Sequence, residues 1–496
     1  MKIHLKHYVL FVALFATMAL ATLSQAAPAG KQPNIVFILG DDMGIGDFGC
    51  YNADSKTPTP AVDRLAREGV RFSDAHSGSA VCSPTRYGIL TGRYAWRTRL
   101  KRGVLVPYDP PLIEAGRLTV PALLRQHGYA TACIGKWHLG WQWPRPDTNK
   151  PPDFTQPIAE GPITRGFDFY FGTDVPNYPP YCFIENDRTV GQPTAQKTEQ
   201  NLDGRPGPML PGWKFDEILP TLARRAVDYV GQRAADGKPF FLYFTLTSPH
   251  EPVAPSAQFR GKSGISAIAD FIMETDWAVG EVLAALDRHK LAGNTLVFFA
   301  ADNGHSHYTD MQSLIKAGHK PSGPLRGYKG DIYEGGHRVP LVARWPGKTP
   351  AGRVCDETVC HGDLMATVSA ILGAKLPDNA AEDSFNILPA LLGEKRATPL
   401  RPFTVHHSGN GIFAIREGPW KLIPPQTLPA PARAARAAKT AKAKAAKPGV
   451  VNIPGQLYNL ADDLAETKNL YAEKTDLVKK MSALLERARE KGRSRP

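Results

Sequence analysis

The chain has 496 residues, 42% of them hydrophobic and 22% charged, which is enough to bury a large core and too balanced for a fibrous or disordered protein. Its formal charge of +13 would suit a polyanion binder, yet the six cations of 428–449, "LPAPARAARAAKTAKAKAAKPG", and two lysines near the N-terminus account for all but +5 of it. A local surplus of this kind reads as a solvated basic insert, either loop or nascent helix, and argues against a nucleic-acid partner.

From the N-terminus, Lys2 and Lys6 precede an uncharged apolar run from Tyr8, ending in Ser24-Gln25-Ala26-Ala27. A basic start, a short apolar stretch and small residues at the cut predict a signal peptide over 1–26, cleaved after Ala26 or Ala27. The expectation is a periplasmic or secreted protein, with no stable membrane insertion once the leader is gone. Six cysteines (50, 82, 133, 182, 355 and 360) are too few for a disulfide scaffold in so long a chain, although Cys355 and Cys360 are near enough in sequence to pair.

Four apolar runs then share one pattern, a strand that stops at polar residues. "NIVFILG" (34–40) meets Asp41-Asp42, and "YATACIG" (129–135) meets Lys136-Trp137-His138. "PFFLYFTLTS" (239–248) meets Pro249-His250, and "TLVFFAA" (295–301) meets Asp302-Asn303-Gly304. Helical periodicity fills the intervals, at 59–69, 119–128 and 267–290. Alternating strands and helices predict an α/β fold with a mostly parallel central sheet flanked by helices. Its ligand site should lie outside the carboxyl ends of the strands. The pattern changes near residue 384. "FTVHHSGNGIFAIREGPWKLI" (403–423) reads as short strands around a Gly-Asn-Gly turn, and 476–492 reads as a terminal helix. The expected organisation is an α/β catalytic domain over 27–383 and a smaller C-terminal α+β subdomain over 384–496, carrying the insert 428–449.

Each polar cluster taken alone is an ordinary turn or cap. Their convergence at four strand ends gives them chemical meaning. Asp41, Asp42, Asp302 and Asn303 offer hard oxygen ligands, suiting Ca²⁺ first and Mg²⁺ second. Lys136 and Lys329 can hold the oxygens of an anionic substrate, and His138 and His250 can move a proton near neutral pH. His305 and His307, in "DNGHSHYTD", are either substrate-facing or part of a solvated loop.

Cys82-Ser83-Pro84-Thr85-Arg86, followed by Leu90-Thr91-Gly92, resembles the signature of the type I sulfatases. The likeness runs on in order through "GDDMGIGD" (40–47), "GKWHLG" (135–140), "SPHEP" (248–252), "ADNG" (301–304) and "YKGDIYEGGHRVP" (328–340), and spans roughly 33–375. The resemblance implies an alkaline-phosphatase-like fold and a sulfate ester hydrolase, with sulfated carbohydrate and aryl sulfates as substrates. It implies that a maturation enzyme oxidises Cys82 to Cα-formylglycine, whose hydrate attacks sulfur and later expels sulfate. In that scheme Asp41, Asp42, Asp302, Asn303 and residue 82 bind Ca²⁺, while Lys136 and Lys329 neutralise sulfate oxygens. Arg86 orients the hydrated aldehyde, His250 protonates the leaving oxygen, and His138 takes the proton from the second hydroxyl. Two alternatives stay open. One is a phosphonate or phosphate ester hydrolase of the same fold, whose members resemble an Asp-His pair where this chain has Asp302-Asn303. The other is a sulfated-glycan-binding protein in which Cys82 stays a thiol.

Overall fold

The computed structural model describes residues 32–201, 204–429 and 450–495, so the predicted leader and most of the basic insert lie outside the described residues. The large sheet has ten strands. In chain order they are β1 (Asn34–Gly40), β2 (Val70–Phe72), β3 (Ala130–Lys136), β4 (Phe169–Thr173), β5 (Ile184–Glu185), β6 (Arg188–Thr189), β7 (Phe240–Thr245), β8 (Thr295–Ala301), β9 (Leu341–Arg344) and β10 (Arg353–Cys355). They lie side by side as β10-β2-β9-β8-β1-β7-β3-β4-β5-β6. The stretch from β8 to β4 is wholly parallel, and antiparallel neighbours appear only outward of it.

Strands covered on both faces must be apolar on both. β1 meets that requirement: Ile35, Phe37 and Leu39 enter one core, and Val36 and Ile38 the other. β8 alternates in the same way, with Leu296 and Phe298 opposed to Val297 and Phe299. Helices α1 (Pro60–Glu68), α4 (Ile218–Asp236) and α5 (Ala267–Arg288) cover one face. The other is covered by α2 (Cys82–Thr91), α3 (Val120–Gln126) and α6 (Leu364–Leu372). No helix among the described residues is long and apolar enough to cross a membrane.

A second sheet of four antiparallel strands follows: β11 (Thr404–His407), β12 (Phe413–Glu417), β13 (Trp420–Ile423) and β14 (Gln456–Asn459). The terminal helix α7 (Thr475–Glu490) packs Met481, Leu485 and Ala488 against Val405, Ile415 and Leu422 of this sheet. Leu428 and Pro429, read from sequence as the start of the insert, belong instead to an antiparallel ribbon in which 426–429 pairs with 450–453. The remaining insert residues, 430–449, lie outside the described residues. All six cysteines are free thiols, including Cys355 and Cys360.

Candidate active site

Sheet register sets the first layer of the site. Gly40 pairs with Ala301, Leu39 with Thr245, Thr245 with Gly135, and Lys136 with Thr173. Strands β8, β1, β7, β3 and β4 therefore end level, and the residues just beyond them share one edge. Gly135 is required there: its φ is +121°, and an added Cβ would sit 1.7 Å from the Thr245 carbonyl oxygen. Only a glycine lets β3 approach β7 closely enough to present Lys136.

The carboxylates at this edge are buried and held by bases. Lys136 Nζ donates to Asp41 Oδ2 at 2.6 Å, and Lys329 Nζ lies 2.6 Å from the Asp42 carboxylate. Arg86 donates from Nε and Nη2 to Asp302 Oδ2 at 3.2 and 2.9 Å, and from Nη1 to the Lys136 carbonyl at 3.0 Å. Its guanidinium is also 3.5 Å from Asp41, so its contacts fix the ligand carboxylates. Burial opposes the ionisation of Asp42, but Lys329 and His250 outweigh it and hold the carboxyl below its usual range. The Asp42 backbone is left-handed, with φ +68°, and its N–H donates to Asp302 Oδ1 at 3.2 Å. A strained aspartate pinned by another ligand residue marks a functional position.

Asn303 supplies the most direct test of whether this edge fits a cation. Its Nδ2 donates to Asp42 Oδ1 at 2.8 Å and to the Gly304 carbonyl, leaving Oδ1 buried with no hydrogen-bond partner. A carbonyl oxygen so placed beside three carboxylates fits a hard divalent cation.

Cys82 is the first residue of α2 and therefore sits at the positive end of its dipole. Its Sγ is 3.8 Å from Asp41 Oδ1. Ligand atoms of Asp41, Asp42, Cys82 and His250 all lie within 4.8 Å of one another. Burial pushes the Cys82 thiol up to about 12, despite Lys136 and Lys329. A cysteine here is thus a neutral thiol near neutral pH and a poor nucleophile as it stands.

The two histidines present opposite nitrogens. His138 Nε2 lies 3.1 Å from the Leu105 carbonyl, which fixes its proton there, and Nδ1 is buried without a partner. His250 Nδ1 lies 2.6 Å from the Glu251 carbonyl, leaving Nε2 aimed at Asp42 Oδ2, 4.0 Å away. Burial, reinforced by Lys136, pulls both imidazoles well below their usual range. Cys82, His138, His250 and Lys329 line an open cavity of about 840 Å³.

All the residues singled out in the sequence thus converge at one edge, with one exception. His305 turns inward, its Nδ1 3.1 Å from Asp47 Oδ2, because the buried Asp47 carboxylate needs a partner. His307 does line the cavity, its ring centroid 4.0 Å from that of Tyr308. Sequence reading passed over Asp174, whose Oδ1 accepts from the His138 N–H at 3.2 Å. It directly follows strand β4, so the strand-end rule applied to "FYFGTD" would have found it. Arg205 and Tyr178, which stack at 4.2 Å on the cavity wall, carry no such signal.

The small sheet buttresses the loop before Cys82. Ala80 N and Ser79 Oγ both donate to the His407 carbonyl at 3.0 Å, and Gly330 N donates to the Ala80 carbonyl at 2.8 Å. Through these bonds β11, the Lys329 loop and the start of α2 form one frame.

Comparison with known proteins places this arrangement. Residues 33–374 match the family model described as Sulfatase. An N-acetylgalactosamine-6-O-sulfatase of Bacteroides thetaiotaomicron is 32% identical, over 92% of this chain and 93% of its own. Human arylsulfatase A is 34% identical, over 81% of this chain and 76% of its own. A solved chain from work on glycosaminoglycan metabolism by Bacteroides thetaiotaomicron superposes with a TM-score of 0.80 at 30% identity, covering 92% of this chain and 99% of that one.

Proposed function

Because the chain belongs to the type I sulfatase family and is a sulfuric ester hydrolase, we propose that it is an exported, Ca²⁺-dependent enzyme that removes sulfate from sulfated carbohydrates through a formylglycine formed from Cys82. The observation that carries this reading is the place of Cys82: a non-nucleophilic thiol at a helix N-terminus, 3.8 Å from a ligand carboxylate, facing the cavity. Oxidation by a maturation enzyme would turn that inert group into a hydrated aldehyde with two hydroxyls, one to attack sulfur and one to release sulfate.

Asp41, Asp42, Asp302, Asn303 and the modified residue 82 would hold the cation. When bound, Ca²⁺ supplies Lewis acidity toward the sulfate oxygens and the attacking hydroxyl. The chain's own side chains do the rest. Lys136 and Lys329 place fixed positive charge where sulfate oxygens gather charge during transfer. Arg86, anchored on Asp302 and Asp41, orients residue 82 from one helical turn away. His138 Nδ1 is placed to accept the proton from the second hydroxyl, and His250 Nε2, an acceptor while Nδ1 is tied to Glu251, would take up a proton as the anionic ester binds and pass it to the leaving oxygen.

The basic start, apolar run and small residues of 1–27 support export. The names of the relatives support a sulfated amino sugar, so N-acetylgalactosamine 6-sulfate is the first ester to assay. Asp302-Asn303 in place of an Asp-His pair favours sulfate over phosphate or phosphonate.

Mass spectrometry of the peptide containing residue 82, from protein produced in its native host, tests the reading directly. The expected product has exchanged the sulfur and two hydrogens for one oxygen. An intact thiol throughout would overturn the enzyme in favour of a glycan binder. Faster turnover of p-nitrophenyl phosphate than of p-nitrophenyl sulfate would move the activity to the phosphoester branch.

A further inference from the structure

A second group of ligating side chains lies away from the cavity, where sulfate chemistry has no use for it. Three imidazoles and a carboxylate meet there from separate parts of the chain. His76 comes from the short strand Ala75–His76, Glu334 and His337 from the helical turn Glu334–His337, and His406 from β11. One ligand atom from each lies within 4.8 Å of the others, and all four residues are buried.

The hydrogen bonds around the rings are informative. His76 Nε2 lies 3.0 Å from Asp74 Oδ1, and His337 Nε2 lies 3.0 Å from the Ile332 carbonyl. With those protons donated outward, the two Nδ1 atoms face each other at 3.1 Å as bare lone pairs. Lone pairs at that distance repel unless one electrophile binds both. A tetrahedral zinc with Zn–N bonds of about 2.0–2.1 Å sets neighbouring nitrogens roughly 3.4 Å apart. Donation of the outer ring N–H to a carboxylate or a backbone carbonyl is also what metal-bound histidines do. The His406 ring stacks at 4.0 Å on His337 and 4.7 Å from His76, and neither of its nitrogens has a hydrogen-bond partner.

A metal-free arrangement competes with this one. Lys421 Nζ is 3.2 Å from His337 Nε2, and Arg416 Nη1 is 3.1 Å from His76 Nε2. If Lys421 donates to His337, a proton can pass down the row from His337 to His76 to Asp74. That network leaves the Ile332 carbonyl against a bare nitrogen and gives His406 nothing. Lys421 also lies 2.8 Å from Glu466, so it keeps a carboxylate partner when Glu334 turns to a metal.

We propose that His76, His337, His406 and Glu334 form a structural site for a divalent transition metal, best matched by Zn²⁺. An N₃O donor set suits zinc and disfavours the hard cation of the carboxylate site. The metal fastens β11 to the catalytic unit. The turn after β11 carries Gly409 and Asn410 to the cavity wall, so the site also steadies that wall.

Full-length protein stripped with a chelator, refilled with Zn²⁺ under excess Ca²⁺ and passed through gel filtration tests the site. The expected result is one retained zinc per chain and a higher melting temperature with zinc, with both effects lost in His406→Ala and His337→Ala. Co²⁺ loaded in the same way should give the strong visible bands of a four-coordinate site. Wild-type protein that retains no zinc, or variants that retain as much as wild type, overturns the proposal and leaves the proton-bridged row. The wild-type count decides even where a variant does not fold. It is independent of formylglycine content, so failure here and failure of the sulfatase reading are separable.

Discussion

The chain builds two buried charge clusters from the same materials and uses them differently. The first sets Asp41, Asp42 and Asp302 against Lys136, Lys329 and Arg86. The second sets Asp74, Glu334 and Glu466 against Arg338, Arg416 and Lys421. Three acids face three bases in each, which limits the cost of burying charge. What differs is access. The first opens on a cavity of about 840 Å³ and keeps an unsatisfied amide oxygen at Asn303. The second lies between the large sheet and the small one, with Lys421 from β13 fully buried. Equal charge parity therefore yields a reactive site where one side is open and a joint where it is closed. Side-chain deletions in the first should change rates, and deletions in the second should change stability.

The largest effect is expected at Cys82→Ala. Turnover of p-nitrophenyl sulfate should fall by about 10⁵-fold, the scale of removing a nucleophile, with an unchanged urea midpoint. Retention of more than a few per cent of activity would remove residue 82 from the chemistry. Next comes His250→Ala, for which a loss of ~10²–10⁴-fold is expected on sugar sulfates, whose leaving alcohol needs a proton. Aryl sulfates should suffer far less, and equal losses on both would take His250 out of the general-acid role. Lys421→Met tests the closed cluster. It strands Glu466, 2.8 Å from the ammonium, and in metal-free protein Glu334 as well, 3.0 Å away, and in that metal-free form should cost ~3–5 kcal/mol in urea unfolding. The kcat of the remaining folded molecules should hold. A large fall in kcat without a stability change would erase the contrast between the two clusters.

The open cluster was legible in the sequence because Asp41, Asp42, Asp302 and Asn303 each follow an apolar strand at once, and Cys82 announces itself by its motif. Asn34–Gly40 and Thr295–Ala301 end where hydrophobicity ends, and parallel pairing brings Asp41 and Asp302 together without further information. The closed cluster was not legible. His76 and His337 sit in a two-residue strand and a single helical turn, where no periodicity marks burial. His406 is one of two adjacent histidines on β11, and only the packing of the small sheet shows what its ring meets. His305 failed for a related reason. Its position beside Asp302-Asn303 suggested either substrate or solvent as its neighbour, but a residue distant in sequence, the buried Asp47, claims it.

Asp47 gives the smallest effect and a test of how the open cluster is braced. Its Oδ1 lies 2.8 Å from His319 Nε2, while Oδ2 accepts from the Gly44 N–H at 2.8 Å and faces His305 Nδ1 at 3.1 Å. Burial would raise its pKa, but His305 and His319 win and hold the carboxyl down to about 2. The unfolded chain has an ordinary aspartate near ~3.9, so it binds the proton more readily than the folded one. The stabilisation is therefore complete above that value and is lost as pH falls through about 2. A shift of this size corresponds to roughly 2–3 kcal/mol. Asp47→Asn should lower stability by about that amount at neutral pH, while its gap from wild type should close across the acid range. Because Asp47 holds the loop after Asp42 to the loop after Asn303, kcat should fall only a few-fold. A stability gap that stays constant down to acid pH would show that the side chain's shape, not its charge, braces the site.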